Sequence, residues 1–315
     1  MLRADRAFGL LVLLALFSGA ILIELFLTLI PHAQDLHRGG AGQAEHAVAV
    51  LVLALAVLGI SLGLTSLFRQ LYATLRLIHS LLARRVAGPA ALARAAEGLG
   101  LEGRIDVVED DRPFSFCYWF MRPRICLSTG LIRRLDVAEL RAVLLHERYH
   151  LRHRDPLRLV VARYFAAGLY VVPVVEELVR HFVLEKELEA DEDAVRAMGD
   201  VRPLASALYS LLPDADEVSL GLLVPVGSLS VTEARIDQLV NGRARPVIIR
   251  PASIALSLGT LAAACVLVAV QGTRVPAEHL PIVLSVPGSV VAAAALLFVA
   301  AISGGVEQVR LVARR

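Results

Sequence analysis

The sequence has few cysteines and little net charge, and both shortages narrow the classes of protein that it can encode. Its three cysteines, Cys117, Cys126 and Cys265, lack the spacing of zinc ligands, and so small and odd a number does not build a disulfide framework. The formal net charge is only +2, and the arginines are spread along the chain instead of massed in one stripe. The composition therefore argues against a disulfide-stabilised scaffold and against direct binding of nucleic acid.

Long apolar runs are abundant instead. Hydrophobic residues make up 57% of the 315 residues and the mean hydropathy is +0.65, which is too apolar for a soluble protein of this length. A helix needs about 20 mostly apolar residues to cross a bilayer, and four stretches qualify: residues 7–30, 47–68, 252–270 and 282–303. We therefore expect a mainly α-helical, multi-pass protein of the cell membrane, with four transmembrane helices in two pairs.

The two pairs flank a charged middle segment, which predicts three domains. We place an N-terminal transmembrane pair at residues 1–75, a cytoplasm-facing domain at 76–245 and a C-terminal transmembrane pair at 246–315. Arginines collect in the middle segment and after the last span, whereas the loops at 31–46 and 271–281 hold one arginine each. Because positive residues concentrate in cytoplasmic loops, the middle domain and both termini are predicted to face the cytoplasm.

A charged stretch, LLHERYHLRHRDPL at residues 144–157, interrupts this apolar chain. It belongs to a predicted helix over residues 136–154, because Asp136 and Glu139 resemble a capping box and apolar residues recur behind them at helical spacing. Two interpretations of the stretch are open: a catalytic metal site, or the solvated face of an ordinary amphipathic helix.

The spacing of the histidines favours the metal site. His146 and His150 are four residues apart and so project from one face of the helix, with Glu147 beside them. In this H-E-x-x-H arrangement two neutral imidazoles bind zinc, and the glutamate takes a proton from the metal-bound water. His153 shares the helix face, but seven residues separate it from His146, about 10 Å along the axis, which is too far for one ion.

A catalytic zinc ion needs a third protein ligand, and the acidic run EKELEADEDAV at residues 185–195 offers candidates. Glu187 and Asp191 are one helical turn apart, which suits a glutamate ligand with an aspartate behind it that orients a ligating histidine. The same run holds three rival carboxylates, Glu185, Glu189 and Glu192. An exposed acidic helix without a metal is the alternative interpretation.

Helix lengths connect the two motifs. Asp155 and Pro156 suit the start of a new helix, and Pro173 marks the end of its apolar part. Helices of about 26 Å before Pro173 and about 21 Å after it would form a hairpin that returns Glu187 near the level of His150. A helix that crossed the membrane here would leave Glu187 on the wrong side.

Three short strands are predicted ahead of the histidine helix, at residues 104–108, 115–120 and 124–127, because turn signals bound each of them. An exposed edge of their sheet could hold an extended substrate through main-chain hydrogen bonds and so place the scissile carbonyl at the metal. The alternative is that the sheet only supports the histidine helix.

These motifs resemble those of a known family, the membrane-embedded zinc metallopeptidases of the BlaR/MecR antirepressor family, which is related to the HtpX and CAAX-prenyl-protease family. The resemblance runs from about residue 104 to 240 and includes FMRPRICLSTGLIRRL, ELRAVLLHERYHLRHRDPL, EKELEADEDAV and VTEARIDQLV. It implies that the middle domain is a zincin-like α+β metalloprotease domain of the gluzincin type, with a small β-sheet and a helical hairpin.

The same resemblance implies the roles of individual residues. Carried over position by position, it implies that His146, His150 and Glu187 hold Zn²⁺. Glu147 is then the general base, and Asp191 supports the ligands from behind. These roles follow from the family pattern and agree with the helical spacing of the two motifs.

Two departures from the family pattern limit the inference. Sensor members carry an extracellular penicillin-binding domain after their last span, and this sequence has no counterpart of it, so the resemblance does not imply β-lactam sensing. The HtpX and prenyl-protease relatives have a His-Pro pair before their counterpart of ARIDQL, where this chain has SLSVTE, so the group that stabilises the oxyanion is open. Arg235 of that segment either contributes to the transition state or to the structure of the site, or forms a surface salt bridge.

The resemblance implies a membrane zinc metalloendopeptidase that acts on a protein or peptide substrate at the lipid bilayer. Regulatory cleavage of a cytosolic BlaI-type transcriptional repressor, or of a membrane-associated protein, is the expected role. HtpX-like quality control of damaged membrane proteins is an alternative. A non-catalytic membrane scaffold or receptor with a zinc ion is a third interpretation, which the intact Glu147 disfavours because structural zinc needs no general base.

Overall fold

The computed structural model describes residues 3–37, 43–210, 226–242 and 249–272. In these residues the chain is mainly helical, with one small sheet of both parallel and antiparallel strands. The elements in chain order are α1 (Ala4–His37), α2 (Gln43–Leu82), β1 (Arg85–Val86), α3 (Ala90–Ala96), β2 (Ile105–Val108), β3 (Ser115–Tyr118), β4 (Arg124–Ser128), α4 (Thr129–Arg134), α5 (Val137–His153), α6 (Asp155–Gly168), α7 (Val174–Met198), α8 (Arg202–Ser210), α9 (Val226–Asn241) and α10 (Pro251–Gly272).

The described residues form two compact units. The first takes in the described parts of Met1–Phe68, Ala162–Phe182 and Ile248–Arg315, and the second those of Arg69–Val161 and Val183–Val247. The sheet and the histidine helix belong to the second unit. The three domains inferred from the sequence, with boundaries at residues 75 and 245, stay a prediction.

Two helices near the start of the chain are long and apolar enough to cross a membrane. Their apolar segments are Ala4–Glu24 in α1 and Val50–Leu82 in α2. The third predicted span corresponds to α10, whose described apolar part, Pro251–Val266, is shorter than a membrane crossing requires. The fourth, 282–303, lies outside the described residues. Length and hydropathy therefore support two of the four predicted spans.

Glycines allow two helices of the first unit to pack closely. A Cβ atom added at Gly59 would lie 2.6 Å from the carbonyl oxygen of Gly168, and one added at Gly63 would lie 3.1 Å from the ring of Tyr164. Larger side chains at these positions of α2 would therefore push α6 away. Close backbone approach through small residues is common between helices in membranes.

The sheet of the second unit has the strand order β1-β2-β4-β3. The central strands β2 and β4 are parallel, and the outer strands pair with them in the antiparallel sense. The positions of the three predicted strands are confirmed to within two residues at each end. Strand β1 was not predicted, because two residues are too short for a sequence pattern. Strand β3 lies at an edge, where β4 is its partner.

The histidine helix, α5, begins and ends as its sequence predicts. The side chain of Asp136 accepts a hydrogen bond from the backbone N–H of Glu139, and the Glu139 carboxylate accepts one from the N–H of Asp136, so the predicted capping box is confirmed. The helix ends at Arg154, which has the left-handed conformation with φ of 54°. One face of α5 is buried against the sheet, as shown by Leu140 and Leu144, which are both fully buried in the same core as β4.

Candidate metal centre

Three side chains from α5 and α7 bring possible metal ligands together. The Nε2 atoms of His146 and His150 lie 3.1 Å apart, and each lies 3.5 Å from a different carboxylate oxygen of Glu187. Among the described residues these three form a group whose donor atoms all lie within 4.8 Å of one another. The chain thus returns Glu187 to His150, as the helix lengths predict.

The distance between the two imidazole nitrogens fits the ligand shell of a four-coordinate metal ion. A tetrahedron whose corners lie about 2.0–2.1 Å from its centre, the length of Zn–N and Zn–O bonds, has edges of about 3.3–3.4 Å. The two imidazole nitrogens are 3.1 Å apart, close to that value, while the two 3.5 Å separations lead to different oxygens of Glu187 and so are not edges of one tetrahedron. Three protein donors leave one of the four positions for water or substrate, as in catalytic sites.

The carboxylates of the cluster are held in their ionised form. Burial raises the pKa of Glu187, but the charges of His150, His146 and Arg235 outweigh burial and hold that pKa far below its ordinary range. Burial also raises the pKa of Asp191, but hydrogen bonding and charge from His146 and Arg235 lower it overall. A carboxylate binds a metal ion in its deprotonated form, which the charge of Arg235 favours at Glu187.

An aspartate lies behind each histidine. Asp191 Oδ1 is 2.8 Å from Nδ1 of His146, and Asp155 Oδ2 is 2.9 Å from Nδ1 of His150. Each imidazole therefore presents Nε2 to the cluster and Nδ1 to a carboxylate. This arrangement fixes the orientation of a ligating histidine and the nitrogen that carries its proton.

Asp155 contacts His150 in addition to starting α6, and the sequence predicts only the second of these roles. From the sequence, Asp155 was assigned only to the start of α6. In the structure the left-handed Arg154 ends α5 and turns the chain, so that Asp155 lies beside the histidine five residues before it. The unusual conformation of one residue is not visible in the sequence, which explains why this contact was missed.

Lys186, the only lysine of the chain, is buried behind Asp155. Its Nζ atom is 3.7 Å from Asp155 Oδ1, 3.7 Å from Glu189 Oε2 and 5.2 Å from the centre of the Tyr149 ring. This buried cation balances the carboxylate that contacts His150. Composition alone gives no role to a single lysine, so this position was also missed.

Arg235, from α9, connects the two carboxylates of α7. Its Nε and Nη2 atoms each donate to an oxygen of Asp191 at 2.8 Å, and Nη1 lies 3.1 Å from Glu187 Oε2. Only 15% of the Arg235 side chain is exposed. The sequence leaves open a role in the transition state, a structural role and a surface salt bridge, and the structure places Arg235 in a buried ion pair at the cluster.

Glu147 is buried and faces the sheet edge. The Ser115 hydroxyl donates a hydrogen bond to Glu147 Oε1 at 2.7 Å, and the Cys117 thiol donates to the Glu147 carbonyl oxygen at 3.2 Å. Burial, together with the nearby Glu147 charge, raises the pKa of Cys117, so it remains a thiol. Edge strand β3 therefore runs directly beside Glu147.

The rival carboxylates of α7 have other surroundings. Glu189 accepts a hydrogen bond from the Tyr149 hydroxyl at 2.5 Å, and the exposed Glu192 pairs with Arg196. Glu185 is buried, and burial followed by the charge of Glu189 raises its pKa to about 7. None of the three belongs to the donor group that the described residues form.

His153 is likewise outside the donor group. Its ring stacks on Tyr149 with 4.0 Å between the ring centres, and its Nδ1 atom lies 2.9 Å from the Tyr149 carbonyl oxygen. These contacts direct the ring toward Tyr149. The helix geometry had predicted that His153 is too far along the axis to share an ion with His146.

A donor group of two histidines and a glutamate, a buried glutamate beside it and two long apolar helices are the features of a membrane metallopeptidase. The chain matches the BlaR1 peptidase M56 family over residues 23–238, which is most of its length, and it belongs to this family. The resemblance inferred from the motifs is thereby confirmed.

Two curated proteins share shorter segments with the chain. The protease HtpX homolog 1 of Streptomyces coelicolor is 31% identical over 90 residues, which are 28% of this chain and 27% of that protein. The protease HtpX homolog of Acidiphilium cryptum is 35% identical over 71 residues, 22% of this chain and 25% of that protein. The chain therefore spans about a quarter of the length of these relatives.

Proposed function

We propose that the chain is a multi-pass membrane zinc metalloendopeptidase of the H-E-x-x-H, gluzincin type. The observation that carries this proposal is the meeting of His146, His150 and Glu187 in one donor group, with the buried Glu147 beside His146 in α5. These three side chains would hold the ion. When bound, zinc lowers the pKa of a water molecule and polarises the carbonyl of a peptide bond.

The side chains around the proposed ligands transfer the proton, orient the imidazoles and support the carboxylates. Glu147 takes the proton of the attacking water and passes it to the leaving amine. Asp191 and Asp155 hold the two imidazoles in the ligating orientation. Arg235 is engaged by both carboxylates of α7, which favours a structural role at the ligands over direct contact with the oxyanion.

Edge strand β3 is our candidate for the substrate support. It pairs with β4 on one side, and its Ser115 reaches the general base. A peptide added to the other side of β3 through main-chain hydrogen bonds would lie along α5 with its scissile bond beside Glu147. This placement supports the substrate-binding interpretation of the sheet over a purely supporting one.

We further propose that the site faces the cytoplasm, since the arginine distribution favours that side for residues 76–245. The substrate would then be a BlaI-type repressor or another cytosolic or membrane-associated protein. Membership in the BlaR1 peptidase family supports regulatory cleavage. Nothing in the described residues favours the quality-control role, and a non-catalytic scaffold would leave the placement of Glu147 without a purpose.

The test compares cells that carry the full-length protein with cells that carry the Glu147→Gln variant. Sequencing of newly formed protein N-termini should find cleavage products only with the unaltered protein. Glu192→Gln, an exposed glutamate of α7 that pairs with Arg196, is the matched control and should keep the activity. The same cleavage products in Glu147→Gln cells would remove the proposed mechanism.

A further inference from the structure

A cavity of about 1000 Å³ lies in the second unit where α5 ends, beginning one residue past His150. Five arginines line it: Arg104, Arg122, Arg124, Arg152 and Arg154. The remaining lining is largely apolar and comes from Leu151 and from the loop between β3 and β4 at residues 119–123. No carboxylate side chain lines this arginine cavity among the described residues.

Four of the five arginines lack a carboxylate partner among the described residues. Arg124 is neutralised by the buried Asp106, to which its Nη2 atom donates at 2.9 Å. The other four carry exposed guanidinium groups for which the described part of the chain offers no salt bridge. Guanidinium groups are suited to bind carboxylates with two parallel hydrogen bonds. The cavity therefore offers a site for an acidic ligand.

The backbone around the arginine cavity is also unusual. Trp119 and Arg154, with φ of 65° and 54°, are the non-glycine residues with positive φ in the described chain, and both line this cavity. Such conformations are unfavourable for side chains other than glycine and concentrate where a site requires them. Met121 of the same loop is 71% exposed, so an apolar surface stands open beside the arginines.

The arginine cavity is continuous with the proposed substrate strand. Strand β3 leads from Ser115, beside Glu147, to Tyr118, and Trp119 follows as the first cavity residue. Four residues of extended chain cover about 13 Å. A peptide paired with β3 and cleaved beside Glu147 would therefore reach the cavity about four residues from its scissile bond.

We propose that the arginine cavity binds acidic side chains of the protein substrate, about four residues from the bond that is cleaved. The inference rests on the proposed function for its placement of the substrate. The arginines would bind the carboxylates, while Trp119 and Met121 would cover apolar parts of the same segment. An acidic peptide fits this mixed lining and the continuity with β3 better than an isolated anion does.

The binding test uses the full-length Glu147→Gln protein in neutral detergent, so that affinity is measured without cleavage. A fluorescent extended peptide with a cluster of glutamates is compared with its twin in which glutamines replace them. We expect the acidic peptide to bind about tenfold more tightly at low salt, and the difference to shrink as salt screens the charges. Equal affinity of the two peptides would overturn the proposal.

Variants locate the effect in the cavity. Replacing both Arg122 and Arg152 by glutamine removes two of the four cavity arginines that have no carboxylate partner among the described residues, and should clearly lower the affinity ratio of the two peptides. Arg134→Gln, an exposed arginine of α4 outside the cavity lining, removes a charge of the same kind and should leave the ratio unchanged. A ratio that the double substitution leaves unchanged would also overturn the proposal.

Three further outcomes separate this inference from its competitors. If the double variant loses phosphatidylglycerol that the unaltered protein retains in native mass spectrometry, yet keeps its peptide ratio, the cavity binds a lipid headgroup and the proposal fails. Cleavage that depends on Glu147 but shows no acidic preference would refute the cavity assignment and leave the proposed function standing. Acidic preference in binding, without any cleavage by the unaltered protein, would refute the proposed function and leave the cavity assignment standing.

Discussion

The candidate metal centre and the arginine cavity both include residues from the C-terminal part of α5, but they differ in how their charged side chains are paired. At the metal centre, Arg235 and two carboxylates are largely buried and paired with one another at 2.8–3.1 Å. In the cavity, four exposed arginines belong to a lining that has no carboxylate among the described residues. The charges of the first region are paired within the chain, whereas the four arginines of the second have no carboxylate partner among the described residues.

This difference predicts how each region responds to substitution. Removing one partner from a buried ion pair leaves the other charge uncompensated and costs about 3–5 kcal/mol. An exposed arginine contributes at most about 1 kcal/mol to an ion pair. We therefore expect large, ligand-independent effects at the metal centre, and small effects in the cavity that appear only with an acidic partner.

The largest effect is expected for Glu187→Gln, because it removes the negative ligand of the donor group. The variant should lose bound zinc and all peptidase activity while the helices stay folded. Zinc content per protein, measured by mass spectrometry, and circular dichroism of the same sample report both properties. Glu192→Gln on the same helix is the control, and equal zinc content in both variants would contradict the assignment of Glu187.

Arg235→Leu should have the next largest effect, on stability. The substitution leaves Glu187 and Asp191 without their cation in a buried position, so we expect unfolding to become easier by about 3–5 kcal/mol. Thermal unfolding in detergent measures the change. Arg196→Leu, which breaks the exposed pair with Glu192, should cost less than about 1 kcal/mol. Equal losses in the two variants would show that Arg235 acts as a surface residue.

Asp155→Asn should have a moderate effect on metal affinity. The aspartate contacts His150 from behind, and loss of such a contact lowers metal affinity about 10–100-fold. Asparagine keeps the ability to start α6, so the fold should be retained. Competition with a zinc chelator measures the affinity. Asp111→Asn, an exposed aspartate that pairs with Arg133, is the control, and an identical affinity in both would contradict the role of Asp155.

Ser115→Ala should have the smallest effect at this centre. It removes one hydrogen bond to Glu147 and leaves every proposed ligand in place. We expect kcat to fall about tenfold, since such a bond to a charged group contributes about 1.5 kcal/mol, with unchanged zinc content. A loss of zinc in this variant would show that the serine supports the ligands and not the base.

The contrast between the two regions also separates what the sequence predicts from what it does not. The H-E-x-x-H spacing, the capping box and the three strands are local patterns, and their residues meet through helix or strand geometry alone. Glu187 required an argument from helix lengths, because it lies 37 residues beyond His150. Contacts between residues far apart in the sequence leave no periodic pattern of this kind.

The contacts that were missed share this property. Ser115 and Glu147 are 32 residues apart, and Arg235 and Asp191 are 44 apart, so their pairing depends on how separate elements pack. The arginine cavity combines three segments of the chain and the left-handed backbone of two residues. In the sequence its arginines are not distinguished from the other arginines of the middle segment. Their distribution was used only to predict the membrane orientation, so the cavity was not predicted.

The most direct test of the central claim measures zinc and proteolysis together in the purified full-length protein. The unaltered protein should contain one zinc ion and cleave a substrate identified from cellular N-termini, and Glu147→Gln should contain the same zinc and show no cleavage. That result would separate the proposed metal ligands from the proposed general base. Cleavage by Glu147→Gln, or full activity of the unaltered protein after complete removal of metal, would contradict the account.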